Sequence, residues 1–150
     1  MDVDVLCEMA DEHLGAFLSQ FGRDFYVSET AARDAVERKS RFTLIHLPTS
    51  FKVDIFVSRR RPFDKDRMKR AAQEKLLTDH PVSVRMTSAE DSIISKLEWY
   101  QRGNQTSERQ WEDVSRLIRL LDDSVDRDYL RPAAESVGVS DLLERLISAS

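Results

Sequence analysis

With 150 residues, 41% of them hydrophobic and 33% charged, and a net charge of −4, the chain has enough apolar material for one packed domain or for a lobe with an extension. No apolar run approaches the roughly 20 residues that span a bilayer, and the acidic start Met1-Asp2-Val3-Asp4 lacks a signal-peptide layout. A lone cysteine, Cys7, excludes an internal disulfide, so the expectation is a cytoplasmic protein without a membrane partner.

Taken in chain order, residues 2–7 alternate acidic and apolar side chains, the period of a strand. Residues 8–21 place Met9, Leu14, Phe17, Leu18 and Phe21 at helical spacing before Gly22. Phe25-Tyr26-Val27 reads as a short strand, and Ser28 as the N-cap of a helix ending near Lys39. Phe42–Leu47 and Phe51–Val57 flank Pro48-Thr49-Ser50 as a hairpin; Phe51, Val53, Ile55 and Val57 share one face, and Lys52, Asp54 and Phe56 the other. A basic helix is predicted from Pro62 to about Leu77, and a strand over 82–86.

From residue 87 the pattern is helical throughout. Thr87-Ser88-Ala89-Glu90 has a capping-box spacing that opens a helix to about Arg102. Ser107 caps a second helix with an apolar stripe of Trp111, Val114, Leu117, Ile118 and Leu121, and two short helices follow near 127–136 and 140–148, around Gly138. The predicted organisation is therefore an α/β front over 1–86 with a mixed sheet, followed by a helical part over 87–150.

Charge is uneven. Residues 59–75 carry eight basic side chains against three acids, whereas 122–150 carry seven acids against three arginines. The basic segment Arg59–Lys75 suits either an anionic partner such as RNA or a solvated helix face.

Three carboxylates sit on the polar faces of apolar strands: Asp2, Asp4 and Asp54. Alternate strand residues lie roughly 6.5 Å apart on one face, so Asp2 and Asp4 can converge on a hard cation, with Asp54 from a neighbouring strand as a third ligand. Oxygen ligands of this kind suit Mg²⁺, or Mn²⁺ in its place. The alternative is a set of exposed acids on an edge strand. His13, His46 and His80 have no metal-ligand spacing, and Cys7 reads as a packed strand residue.

Asp2-Val3-Asp4-Val5, a helix, a hairpin and Val53-Asp54-Ile55 together resemble the core of the polymerase-β-like nucleotidyltransferase superfamily. Glu90-Asp91 through Lys96-Leu97 to Arg109-Gln110-Trp111-Glu112-Asp113-Val114 is similar to the helical half of bacterial AbiEii-type nucleotidyltransferases, a group that includes toxins of toxin–antitoxin pairs. The phrases Arg61-Pro62-Phe63-Asp64 and Lys96-Leu97-Glu98-Trp99-Tyr100 resemble uncharacterised bacterial members. The resemblance implies a nucleotidyltransferase-like mixed sheet and Mg²⁺-dependent transfer of a nucleoside monophosphate from an NTP to RNA or protein. It gives Asp2 and Asp4 the metals and Asp54 the acceptor hydroxyl, with Lys96 and Asp113 contributing to the cleft.

One departure stands against this. Members of the superfamily carry a Gly-Ser-bearing helix just before the D-x-D strand, and no glycine here lies in a Gly-Ser step. The sequence thus carries two expectations: a start further upstream, or a form that does not catalyse. The second leaves a binding module that meets RNA or a partner protein such as a cognate antitoxin.

Overall fold

The computed structural model describes residues 2–76 and 82–149, with the side chains of Asp2, Leu76 and Asp123 outside that description. It is a mixed α/β protein with a helical C-terminal part. Two compact units divide at Asp64/Lys65. The division falls earlier than the change to purely helical sequence after Met86, so the strands over 72–86 group with the helices.

The first unit is built on a four-stranded sheet in the order β1-β4-β3-β2. Its strands are β1 (Asp2–Cys7), β2 (Phe25–Tyr26), β3 (Arg41–His46) and β4 (Phe51–Val57), with α1 (Asp11–Leu18) between β1 and β2 and α2 (Glu29–Arg38) between β2 and β3. β1 runs parallel to β4, while β3 is antiparallel to both β4 and β2, so the sheet is mixed as the sequence predicts. Met9, Leu14, Ala32, Ala35, Val36, Phe42, Leu44, Ile55 and Val57 form the buried core of this unit. Burial of each such Leu or Ile stabilises by roughly 1.5–3 kcal/mol. Because side chains alternate along a strand, packing Ile55 and Val57 inward turns Asp54 and Phe56 to the opposite face.

Two helix ends differ from the sequence expectation here and below. α1 spans Asp11–Leu18 rather than 8–21. Ala10 is extended and its N–H meets His13 Nδ1, while Met9 is committed to the core and leaves the helix no earlier turn. Ser28 caps α2 as predicted, accepting a hydrogen bond from the Ala31 N–H at 3.2 Å.

α3 (Pro62–Arg70) crosses the division and stops well short of the predicted Leu77. Residues 72–76 instead form β5 (Ala72–Leu76), paired antiparallel with β6 (Val82–Met86). The run Ala-Ala-Gln-Glu-Lys-Leu has good helix propensity, so a non-local pairing overrides a local preference that is worth only tenths of a kcal/mol per residue.

The second unit continues through α4 (Ala89–Arg102), α5 (Glu108–Leu121), a 3₁₀ turn (Asp122–Ser124), α6 (Arg127–Val137) and α7 (Ser140–Ser148). Ile93, Ile94, Leu97, Val114, Leu130, Leu143 and Leu146 are almost completely buried, which accounts for the apolar stripes in the sequence. Trp111 packs on Tyr100 at 5.2 Å between ring centroids and carries the Arg145 guanidinium over its face at 4.2 Å. It is thus a packing residue between helices. Ser107 caps α5 through the Gln110 N–H, and Gly138 ends α6 in the left-handed region at φ 79°. For α4 the cap is Ser88, one residue later than the predicted Thr87, with the Asp91 N–H donating to Ser88 Oγ at 3.0 Å. Among the described residues, no helix is long and apolar enough to cross a membrane.

Candidate functional site

The outward face of the first unit's sheet assembles from the strand register. Asp4 in β1 lies opposite Asp54 in β4, and Asp54 lies opposite Thr43 in β3. Register partners in adjacent strands share a face and sit about 4.8 Å apart, so these three side chains form one row across the sheet. A neighbouring row is Leu6, Phe56 and Arg41, and the other neighbouring row runs from Lys52 to Ile45 and Tyr26.

The adjacency of the Asp4 and Asp54 strands is the arrangement that the sequence pattern called for. The Asp2 backbone pairs with Lys52, and its side chain lies outside the described residues. Asp4 is exposed, and the Asp54 side chain is 17% exposed. Arg41 Nη1 donates to Asp54 Oδ2 at 2.9 Å, reaching diagonally along the face, and the Thr43 hydroxyl donates to Asp54 Oδ1. Both carboxylate oxygens therefore have a donor.

Sequence reasoning did not identify Arg41 and Thr43 as partners of Asp54. The signal was present: a hairpin turning around Pro48-Thr49 sets residue 43 against 54 and places residues 41, 43 and 45 on the face of residues 52, 54 and 56.

A divalent cation can be tested against this donor set. Among the described residues, no group of three or more His, Cys, Asp or Glu side chains could hold a metal. The pair Asp4/Asp54 nevertheless supplies two hard oxygen ligands from adjacent register positions, and Mg²⁺ commonly takes one or two carboxylates while keeping waters or phosphate oxygens for its other positions. The Arg41 guanidinium at Asp54 Oδ2 balances the charge of that carboxylate. On donor chemistry the residues fit.

Lys96 and Asp113 belong to the second unit, on α4 and α5. Lys96 is half-buried and Asp113 exposed.

The basic segment is largely engaged within its own units. Arg61 clamps the buried Asp64 through Nε and Nη2, both at 3.1 Å, and Arg60 reaches Glu8 at 3.5 Å. Arg67 donates to Ser95, Lys69 lies 3.7 Å from Asp66, and Arg70 pairs with Asp91 at 2.7 Å. Lys75 is in β5, so the eight cations do not line a single helix.

In the second unit, Asp91 is a buried hub whose role the sequence did not reveal. It is fully buried in the first turn of α4. Its Oδ1 accepts from Arg70 Nη2 at 2.7 Å and from the Tyr129 hydroxyl at 2.6 Å, and Oδ2 accepts from Arg70 Nε at 3.3 Å. Arg70 also lies over the Tyr129 ring, 4.6 Å from its centroid. Burial, then the hydrogen bond and charge of Asp91, push the Tyr129 phenol above its usual range. This cluster ties α3, α4 and α6 together and reads as a structural lock.

Burial also pushes the Cys7 thiol up against the opposing pull of Lys39, which disfavours the thiolate and fits a packed residue rather than a nucleophile. His46 Nδ1 lies 2.7 Å from Thr49 Oγ1 and its ring packs on Phe25, while His80 lies outside the described residues.

No family model matches the chain, and no curated protein matches it.

Proposed function

We propose that the outward face of β1, β4 and β3 binds a nucleoside triphosphate with Mg²⁺ and that the protein is a nucleotidyltransferase-like protein of the cytoplasm. The observation that carries this reading is the register match of Asp4 with Asp54 on adjacent parallel strands. The resemblance of Asp2-Val3-Asp4 and Val53-Asp54-Ile55 to the nucleotidyltransferase core supports the same residues.

In the transfer reaction, an acceptor hydroxyl oxygen of RNA or protein forms a bond to the α-phosphorus of the NTP while the bond to the pyrophosphate oxygen breaks. Asp54 orients the hydroxyl and takes its proton, and Asp4, Asp2 and Asp54 would together hold the cation. Mg²⁺ bound there supplies charge neutralisation to the phosphates. Lys96 and Asp113 have roles in this reading through the resemblance alone.

A second reading is favoured by one observation: both Asp54 oxygens already have protein donors. A carboxylate held in this way suits a binding module that does not catalyse and that meets RNA, a nucleotide or a partner protein such as a cognate antitoxin.

Calorimetric titration with Mg²⁺ and a non-hydrolysable NTP separates the cases. Binding that requires the metal and is lost in Asp54→Asn supports the nucleotide site. Nucleotide binding unaffected by Asp54→Asn and by metal removal contradicts it.

A further inference from the structure

We infer that Arg41 is a built-in counter-ion of the Asp54 carboxylate, which a divalent cation must displace in order to bind. The inference rests on the metal-binding reading of the acidic face.

Arg41 Nη1 lies 2.9 Å from Asp54 Oδ2, while the Thr43 hydroxyl occupies the other oxygen. The two donors differ in freedom. Thr43 is half-buried at the register position directly opposite Asp54, on a short, β-branched side chain with few rotamers. Arg41 pairs in register with Phe56 and reaches Asp54 diagonally, and its side chain is 51% exposed against 17% for Asp54. The arginine can therefore swing into water at little cost, whereas the carboxylate stays on the sheet.

A cation approaching the Asp4/Asp54 pair meets Oδ2 with a guanidinium already on it. Two positive centres cannot share that oxygen at ligand distance without strong repulsion. Arg41 thus lowers metal affinity by the worth of its ion pair plus its charge, and it keeps the row charge-compensated when no metal is bound. The arginine end of the pair is half-exposed and screened by water, so the gate is a shallow one.

Lys52 provides an internal control. It lies on the same face two residues before Asp54 in β4, is exposed, and forms no ion pair among the described residues. Its removal changes the local charge by the same amount without vacating Oδ2.

The test is Mn²⁺ titration of the full chain, read by the electron paramagnetic resonance signal of free Mn²⁺. The expected result is that Arg41→Met binds Mn²⁺ roughly three- to tenfold more tightly than the wild type. Arg41→Lys returns affinity toward the wild type, Lys52→Met gives a clearly smaller gain than Arg41→Met, and Asp54→Asn weakens binding in either background. Circular dichroism of each variant confirms that the fold is kept.

Equal affinities in wild type and Arg41→Met, or equal gains in Arg41→Met and Lys52→Met, overturn the counter-ion inference. If Asp54→Asn still weakens Mn²⁺ binding in that case, the metal site stands. Failure of both wild type and Arg41→Met to bind millimolar Mn²⁺ overturns the inference together with the metal reading.

Discussion

Arg70 Nη2 lies 2.7 Å from Asp91 Oδ1, and the two side chains differ sharply in access to water: Asp91 is fully buried, whereas Arg70 is 38% exposed. That asymmetry makes the two halves of the pair unequal in mutation. Removing the aspartate leaves a cation that can turn to solvent, and removing the arginine leaves a buried anion with only the Tyr129 hydroxyl and no opposite charge.

Arg70→Ala is therefore expected to destabilise the protein by about 3–5 kcal/mol, and Asp91→Asn by about 1–2 kcal/mol. Urea unfolding followed by circular dichroism measures both. Equal losses would mean that Arg70 gives Asp91 no special compensation.

Tyr129 carries the same network into alkaline pH. Its phenol is raised above the ordinary value of 10.0, first by burial and then by Asp91. The folded state thus holds the proton more tightly than the unfolded state. This contribution is fully present below pH 10 and is lost as pH rises from there through the folded value. Unfolding midpoints should fall above about pH 10, and Tyr129→Phe should flatten that slope. An unchanged alkaline slope in the variant would place the titrating group elsewhere.

Gly138 closes α6 at φ 79°, and a Cβ added there meets nothing within 4 Å. Gly138→Ala should then cost about 1–2 kcal/mol through backbone strain alone. A urea midpoint that does not shift would contradict this account of the α6 end.

Contact with RNA through residues 59–75 is testable only with cations that the fold does not consume. Lys65 is exposed with no ion pair among the described residues, and Lys69 has the 3.7 Å contact with Asp66. If RNA binds here, Lys65→Glu with Lys69→Glu should weaken tRNA binding and flatten its salt dependence without lowering stability. Charge reversal at Arg70 would unfold the Asp91 lock and mislead. An unchanged fluorescence titration at low salt removes this segment as an RNA contact.

The legible parts of the sequence were those set by local periodicity and by short-range geometry. The alternation in 2–7 and 51–57 fixed which side chains of β1 and β4 share a face, and Ser28 and Ser107 marked helix starts through their own hydroxyls. The end of α3 was not legible, because pairing of 72–76 with 82–86 depends on residues about ten positions away. The role of Asp91 was not legible for a related reason. An acid in a helix's first turn reads as a favourable surface charge near the helix dipole, and only the tertiary approach of Arg70 and Tyr129 makes it a buried hub. At the candidate site the acids were visible in the sequence. The two donors to Asp54 lie on β3, where the hairpin register places them, and no single strand's pattern reveals them.

Mn²⁺-induced broadening of backbone amide signals tests the central claim most directly, because it locates the ion. The account predicts that substoichiometric Mn²⁺ broadens the amides of residues 3–5 and 53–55 first, and that Asp4→Asn with Asp54→Asn removes the effect while other signals keep their positions. Broadening confined to the acidic stretch around Asp122, Asp126 and Asp128, or spread evenly over the chain, would contradict a metal site between β1 and β4.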